Sequence, residues 1–151
     1  MFFANSKQLT LAGAEKICET AIEGARKEGL AISVVVADGG GNVIMAKRMD
    51  GGRFHTIHSS TTKATCAASN KRMTTSQGAV GQDLDTSHAI GLALAAGPQR
   101  WTAMEGGAPI IVDGECIGGV GVSGGNWNAD AELAKAAVES IGAAVQMPAK
   151  K

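Results

Sequence analysis

One segment of the chain gathers residue types that can bind an anion and move a proton. It runs from Arg48 to His58 and reads Arg-Met-Asp-Gly-Gly-Arg-Phe-His-Thr-Ile-His. A guanidinium can pair with a carboxylate or phosphate through two parallel hydrogen bonds, so Arg48 and Arg53 are predicted ligand-binding residues. Imidazole titrates near neutral pH and also ligates haem iron, so His55 and His58 are candidate catalytic residues or iron ligands. The segment therefore predicts a site for an anionic ligand.

The two histidines are three positions apart, which places them on one face of a predicted helix. Asp50 belongs to the same predicted ligand-binding set, just before the diglycine turn that leads into this helix. Free backbone N–H groups at a helix start favour an anion. The alternative is that both histidines are solvated surface residues. Two histidines without a third ligand do not predict a metal site.

Two further places in the sequence are predicted to bind the ligand. Lys63 can present a cation to it, or can lie over apolar neighbours with its charge in water. Ser123 and Gly124 lie in glycine-rich sequence before the last predicted helix, where backbone N–H groups can form a nest for an anion. The same letters match the Gly-x-Ser-x-Gly motif of serine hydrolases, but that motif requires a parallel-sheet scaffold.

Hydrophobic periodicity and turn residues predict the elements that position these side chains. Two strong turns, Asp38 to Asn42 and Asp113-Gly114, join neighbouring strands into hairpins, which make a sheet antiparallel. Thr74-Thr75-Ser76 predicts the cap of a short extra helix. The fold class is therefore α+β, with helices packed on an antiparallel sheet. Helices are expected at 10–28, 53–70, 84–96 and 129–145, and strands at 30–37, 43–49, 109–112 and 116–122.

Length and composition limit the classes of protein that fit. The 151 residues predict one domain, 1–151, with a core at about 9–145. The 14 basic residues equal the 14 acidic ones, which argues against a nucleic-acid partner. Three separated cysteines, Cys18, Cys66 and Cys116, predict a reducing compartment, and with no signal peptide the expected location is cytoplasmic. No apolar run reaches the ~18 residues that a membrane span needs.

Several segments of the chain form a recognisable set: Val34 to Asp38, Arg48 to Gly52, Lys63-Ala64, Gly106 to Ile110, Asp113-Gly114, Ile117 to Gly125, Asp130 and Ala134 to Ala136. Taken together, these segments resemble the GlcG/HbpS-like family of small domains, first described as a domain of unknown function and later labelled haem-degrading. The resemblance covers about residues 10–145. His55 and His58 depart from the family's usual pattern of small or apolar residues at these positions.

This resemblance implies a profilin-like domain, a homo-oligomer, haem or tetrapyrrole binding in some members, and genes placed in catabolic operons. It does not imply one activity, because the same fold hosts unlike roles. Three functions therefore stay open. The first is a protein that binds haem or another small ligand. The second is an isomerase, tautomerase or lyase on a small anionic metabolite such as a ring-cleavage acid, with arginine holding the carboxylate and histidine moving the proton. The third is an accessory oligomeric protein without catalysis.

Overall fold

The computed structural model describes residues 1–150; Lys151, the last residue of the predicted domain, lies outside the described residues. The described part forms four helices and four strands, with the bounds α1 (Leu11–Lys27), β1 (Ser33–Asp38), β2 (Val43–Arg48), α2 (Thr56–Asn70), α3 (Thr86–Ala96), β3 (Gly107–Val112), β4 (Glu115–Ser123) and α4 (Trp127–Glu139). All eight elements were expected from the sequence, with shifted ends, and the predicted single α+β domain is confirmed.

Helix α1 begins and ends where its sequence signals lie. The Thr10 side chain accepts a hydrogen bond from the backbone N–H of Gly13, which satisfies one of the free donors at the helix start. Gly29 follows the helix with φ +69°, the left-handed conformation that glycine adopts at little cost. Between these ends the buried residues form one stripe: Ala14, Ile17, Cys18, Ala21 and Ala25.

Both predicted hairpins are present, and a third pairing joins them into one sheet. The strand order is β2-β1-β4-β3, and every neighbouring pair is antiparallel. In the central pairing, Val35 of β1 lies opposite Gly121 of β4, and Ser33 lies opposite Ser123. This pairing brings the last residue of β4 close to the first residue of β1.

Helices cover both faces of the sheet. On one face, α1 and α4 pack against side chains that include Val34 and Val36 of β1. On the other face, α2 packs against Val35 and Ala37. Because successive side chains of a strand point to opposite faces, a strand buried on both sides reads as the continuous apolar run seen in β1.

Glycines in β4 let α2 approach the sheet at backbone distance. A Cβ atom at Gly121 would overlap the carbonyl oxygen of Ser60, and a Cβ atom at Gly119 would overlap that of Ala64. The glycine-rich strand is thus explained by the close approach of a helix, which is one reason for glycine inside a strand.

The expected short helix after Thr74 is wrong. This stretch is a loop in which Gln77 pairs with Asp83 as an isolated bridge, and Thr74 is tied to β3 by hydrogen bonds to and from Gly107. Gly81, at φ +83°, interrupts any helical path there.

The last helix also ends earlier than expected, at Glu139 rather than at residue 145. Beyond it, Ala144 exchanges two backbone hydrogen bonds with Ile111 of β3, which gives the chain a bridge instead of further helical turns.

Helix α3 stands apart from the core. None of its side chains is buried, and Ile90, Leu92 and Leu94 are exposed.

Among residues 1–150, no helix combines the length and apolar character that crossing a bilayer requires.

Candidate functional site

The groove between α2 and α3 is the place where the structure puts a predicted catalytic histidine against an apolar surface. His58, Ser59 and Thr62 form its α2 wall, and the cavity measures about 630 Å³. This space, called the α2–α3 groove below, is completed by mainly apolar residues of α3 and of the loop that follows it: Ala89, Ile90, Ala93, Pro98, Gln99, Trp101, Thr102, Ala103 and Met104.

Side chains of α2 hold this loop in place. The Thr62 hydroxyl donates to the carbonyl oxygen of Pro98 at 3.4 Å, and the Cys66 thiol donates to that of Thr102 at 3.7 Å. Burial raises the pKa of the Cys66 thiol, so it remains a protonated donor at neutral pH. The loop between these two anchors carries Trp101, which is half-buried.

A second cavity shares part of this loop and is lined mainly by glycines and polar side chains. It measures about 730 Å³ and shares Gln99 and Trp101 with the α2–α3 groove. We call it the polar pocket. Its remaining lining residues are Gly39, Gly40, Gly41, Asn42, Thr61, Thr65, Ser69, Asn70, Ala96 and Arg100.

The two predicted catalytic histidines have different surroundings. His58 lies in the first turn of α2 and lines the groove, whereas His55 is the exposed residue that precedes the helix and is not among the residues lining the groove. The His55 ring instead meets the ring of Phe54 edge to face, with the ring centroids 5.8 Å apart. In the described range 1–150, no hydrogen bond involves the His58 ring, so both of its nitrogens are available to a ligand.

The predicted arginine and aspartate ligands lie elsewhere. Arg48 and Asp50 line a pocket of about 430 Å³ together with Arg26 of α1 and Lys47 of β2, and this pocket contains no histidine. Arg53 has an exposed side chain, and its carbonyl oxygen accepts hydrogen bonds from Thr56. The small-acid enzyme was predicted to have an arginine beside a histidine. The structure instead places Arg48 and His58 in separate cavities.

Lys63 is buried rather than exposed to a ligand. Its Nζ donates to the carbonyl oxygen of Val122 at 2.8 Å and pairs with Asp130 Oδ2 at 3.2 Å, and both charged side chains are 3–4% exposed. Burial lowers the pKa of the Lys63 ammonium, and the Asp130 carboxylate acts in the opposite direction. With its ammonium held by these two oxygens, Lys63 takes no part in the site that we propose.

Ser123 and Gly124 lie where β4 leaves the sheet. The Ser59 hydroxyl, on the groove wall, donates to the buried Ser123 hydroxyl at 3.0 Å, so Ser123 supports the groove through one intervening side chain. Gly124 has φ +129°, and a Cβ atom there would come within 2.6 Å of the Ala31 carbonyl oxygen. This glycine is required by the backbone path.

Three residues that line these cavities were not predicted from the sequence as parts of a site. Trp101 and Met104 line the groove, and Arg100 lines the polar pocket. The available signal was a tryptophan and an arginine in a loop directly after Gly97-Pro98. Over the described residues, no three side chains of His, Cys, Asp or Glu come together in a way that could hold a metal ion.

Comparison with known proteins places this geometry in context. A family model described as "Haem degrading protein HbpS-like" matches residues 9–139. The protein GlcG of Escherichia coli K12 is 36% identical over 101 residues, which are 67% of this chain and 70% of GlcG.

Solved structures share the fold over nearly the whole chain. The crystal structure of the Klebsiella pneumoniae protein ORFY has a TM-score of 0.81 and 34% identity, covering 94% of this chain and 97% of that one. The crystal structure of a PduOC:heme complex has a TM-score of 0.80 and covers 93% of this chain and all of that one; at 22% identity it shows a shared fold.

Proposed function

The chain belongs to the HbpS-like family, and from that premise we propose that it binds haem in the α2–α3 groove, with His58 as the residue that ligates the iron. The observation that carries the proposal is the position of His58. Of the three histidines in the sequence, it is the one that lines this groove, opposite apolar side chains of α3. The family model's description names haem, which supports the same class of ligand.

The walls of the groove suit a planar apolar ring. Its volume of about 630 Å³ falls within the range of roughly 300–1,000 Å³ that is common for small-molecule sites. Ile90 and Met104 offer aliphatic and thioether surface, and Trp101 offers an indole ring. Porphyrin carbons placed against these side chains would leave water, which provides the main driving force for binding an apolar ring.

The chemistry of His58 also fits iron ligation. A single histidine is enough to hold haem in several classes of haem protein. The His58 side chain is exposed in the first turn of α2 and lines the groove, so it can ligate iron there while every element stays folded.

A haemin titration followed by absorbance in the Soret region tests the proposal. We expect the wild-type protein to give a saturable, shifted band. His58→Ala should lose the shifted band and bind haemin at least about tenfold more weakly, a loss of about 1.4 kcal/mol. His55→Ala is the matched control, because it removes the same side chain three residues away, outside the groove.

Two outcomes would contradict this proposal. If His55→Ala loses the band while His58→Ala keeps it, the groove is the wrong site. If neither the wild-type protein nor the variants give a saturable band, haem is the wrong ligand. Circular dichroism of each variant separates a lost ligand from a lost fold.

A further inference from the structure

We infer that the polar pocket receives the carboxylates of the bound ligand and that Arg100 is the cation that pairs with them. As a result, the protein selects tetrapyrroles by their acidic side chains. This inference rests on the haem site proposed above. It adds a residue, Arg100, and a specificity that the groove alone does not provide.

The two cavities are neighbours along α2. Gln99 and Trp101 line both of them, so the loop after α3 forms the shared rim. A ring that lies beside His58 and contacts Trp101 has the polar pocket next to it. A porphyrin carries its propionates at one edge, so they can extend past Trp101 while the ring remains in the apolar groove.

The polar pocket has the chemistry of an anion site. Its lining includes one cation, Arg100, and no Asp or Glu side chain. Thr61, Thr65 and Ser69 follow one another at every fourth position of α2, which aligns their hydroxyl groups along one face of the helix. The Thr61 hydroxyl already donates to the carbonyl oxygen of Ile57 at 2.8 Å, which leaves the hydroxyls of Thr65 and Ser69 as donors for a ligand. Hydroxyl donors and a guanidinium are groups that bind carboxylates.

One nearby carboxylate is not among the side chains that line the polar pocket. Asp38, next to the lining residue Gly39, accepts hydrogen bonds at its Oδ1 from the backbone N–H groups of Gly40 and Asn42. These bonds lower the pKa of the Asp38 carboxyl and direct the carboxylate toward its own turn.

Arg100 retains donors for a ligand. Its Nη1 makes one long contact, 3.5 Å, with the Ala96 carbonyl oxygen at the end of α3. No other hydrogen bond of its guanidinium occurs within residues 1–150, and the side chain is exposed. A guanidinium has five N–H donors, so a propionate can still be bound through two of them.

Haemin and haemin dimethyl ester, titrated into wild type and Arg100→Gln, test the inference. Arg100→Gln should weaken haemin binding about three- to tenfold, as expected for one partly exposed ionic contact, and the difference should narrow as the salt concentration rises. The ester has no propionate charge, so it should bind both proteins equally and bind wild type more weakly than haemin does. Arg26→Gln, on the α1 side of the sheet, makes the same change of charge and should leave haemin binding unchanged.

The outcomes separate this inference from the function on which it rests. If His58→Ala loses the Soret band but Arg100→Gln binds haemin as wild type does, the haem site stands and the role of Arg100 is wrong. The role of Arg100 is also wrong if the substitution weakens the ester and haemin alike. Absence of any saturable haemin binding by wild type overturns both.

Discussion

The ammonium of Lys63 is held between β4 and α4 by one carbonyl oxygen and one carboxylate. The same carboxylate group accepts a hydrogen bond from the Gly125 N–H through its other oxygen, at 2.9 Å, so Asp130 joins α2 to the turn before α4. Taking both charges out of water is costly, and their attraction offsets that cost only while both partners are present. The pair is therefore a structural contact whose loss leaves an uncompensated buried charge.

Asp130→Asn should lower the free energy of unfolding by about 3–5 kcal/mol at neutral pH, because Lys63 then stays buried without its partner. Lys63 has a lowered pKa in the folded state, so between that pKa and 10.5 the unfolded chain binds more protons, and stability rises with pH. Asp130→Asn removes the carboxylate that opposes this lowering, so the pKa of Lys63 in the folded variant is lower still. The rise in stability of the variant therefore begins at a lower pH. The deficit relative to wild type should therefore shrink as the pH approaches 10.5.

Urea unfolding at a series of pH values measures this difference. Glu132→Gln, an exposed change on the same helix, is the control and should alter stability by less than about 0.5 kcal/mol. A deficit that stays constant with pH would show that Asp130 acts through something other than the Lys63 charge.

Helix α2 lines both the α2–α3 groove and the polar pocket. One side of it contacts the backbone of β4 at Gly119 and Gly121. The opposite side presents His58 to the α2–α3 groove and Thr65 to the polar pocket. Because the first contact is made at backbone distance, the position of His58 depends on glycines that are far from it in sequence.

Gly121→Ala should destabilise the protein by about 3 kcal/mol, at the upper end of overpacking effects, because the new Cβ atom meets backbone of α2 rather than a mobile side chain. Gly91→Ala is the matched control. Gly91 lies in exposed α3 with nothing within 4 Å of a Cβ atom, so alanine there should stabilise by about 0.5–1 kcal/mol. Thermal and urea unfolding measure both. Equal effects of the two substitutions would contradict the close packing of α2 on β4.

The whole molecule is a three-layer arrangement in which α1 and α4 cover one face of a single sheet and α2 covers the other. Each face has its own cluster of buried residues, and both clusters include side chains of β1, so the two helical layers share this strand. The family model covers residues 9–139. The domain bounds 1–151, with a core at about 9–145, stay a prediction. The homo-oligomer and the cytoplasmic location stay predictions.

Unfolding should therefore be one cooperative transition. The two tryptophans report on different layers: Trp101 lies in the loop anchored to α2, and Trp127 is the first residue of α4. Trp101→Phe leaves Trp127 as the only tryptophan and Trp127→Phe leaves Trp101, so fluorescence of each variant can be compared with its own circular dichroism. We expect coincident midpoints for the two signals in each variant; separate transitions would argue for two independently folding units.

Local signals in the chain were enough to predict the helices, the hairpins and the fold class. The Thr10 cap, the apolar stripe of α1 and the Asp113-Gly114 turn act through residues a few positions apart, so their effect can be read without the rest of the molecule. Helix α4 ends earlier than its local signals predict, because Ala144 forms backbone hydrogen bonds with Ile111 of β3 instead of continuing the helix.

The site itself depended on contacts between distant residues. Lys63 and Asp130 are 67 residues apart, and the sequence alone could not decide between a ligand-facing and a buried lysine. Arg48 and His58 are close in sequence, but Arg48 lies on the edge strand β2 and His58 on helix α2, so they line different cavities. His58 and Trp101 line one cavity because α2 lies on the glycines of β4 and anchors the loop after α3. Side-chain chemistry is local, whereas the sharing of one cavity is decided by packing between separate elements of the fold.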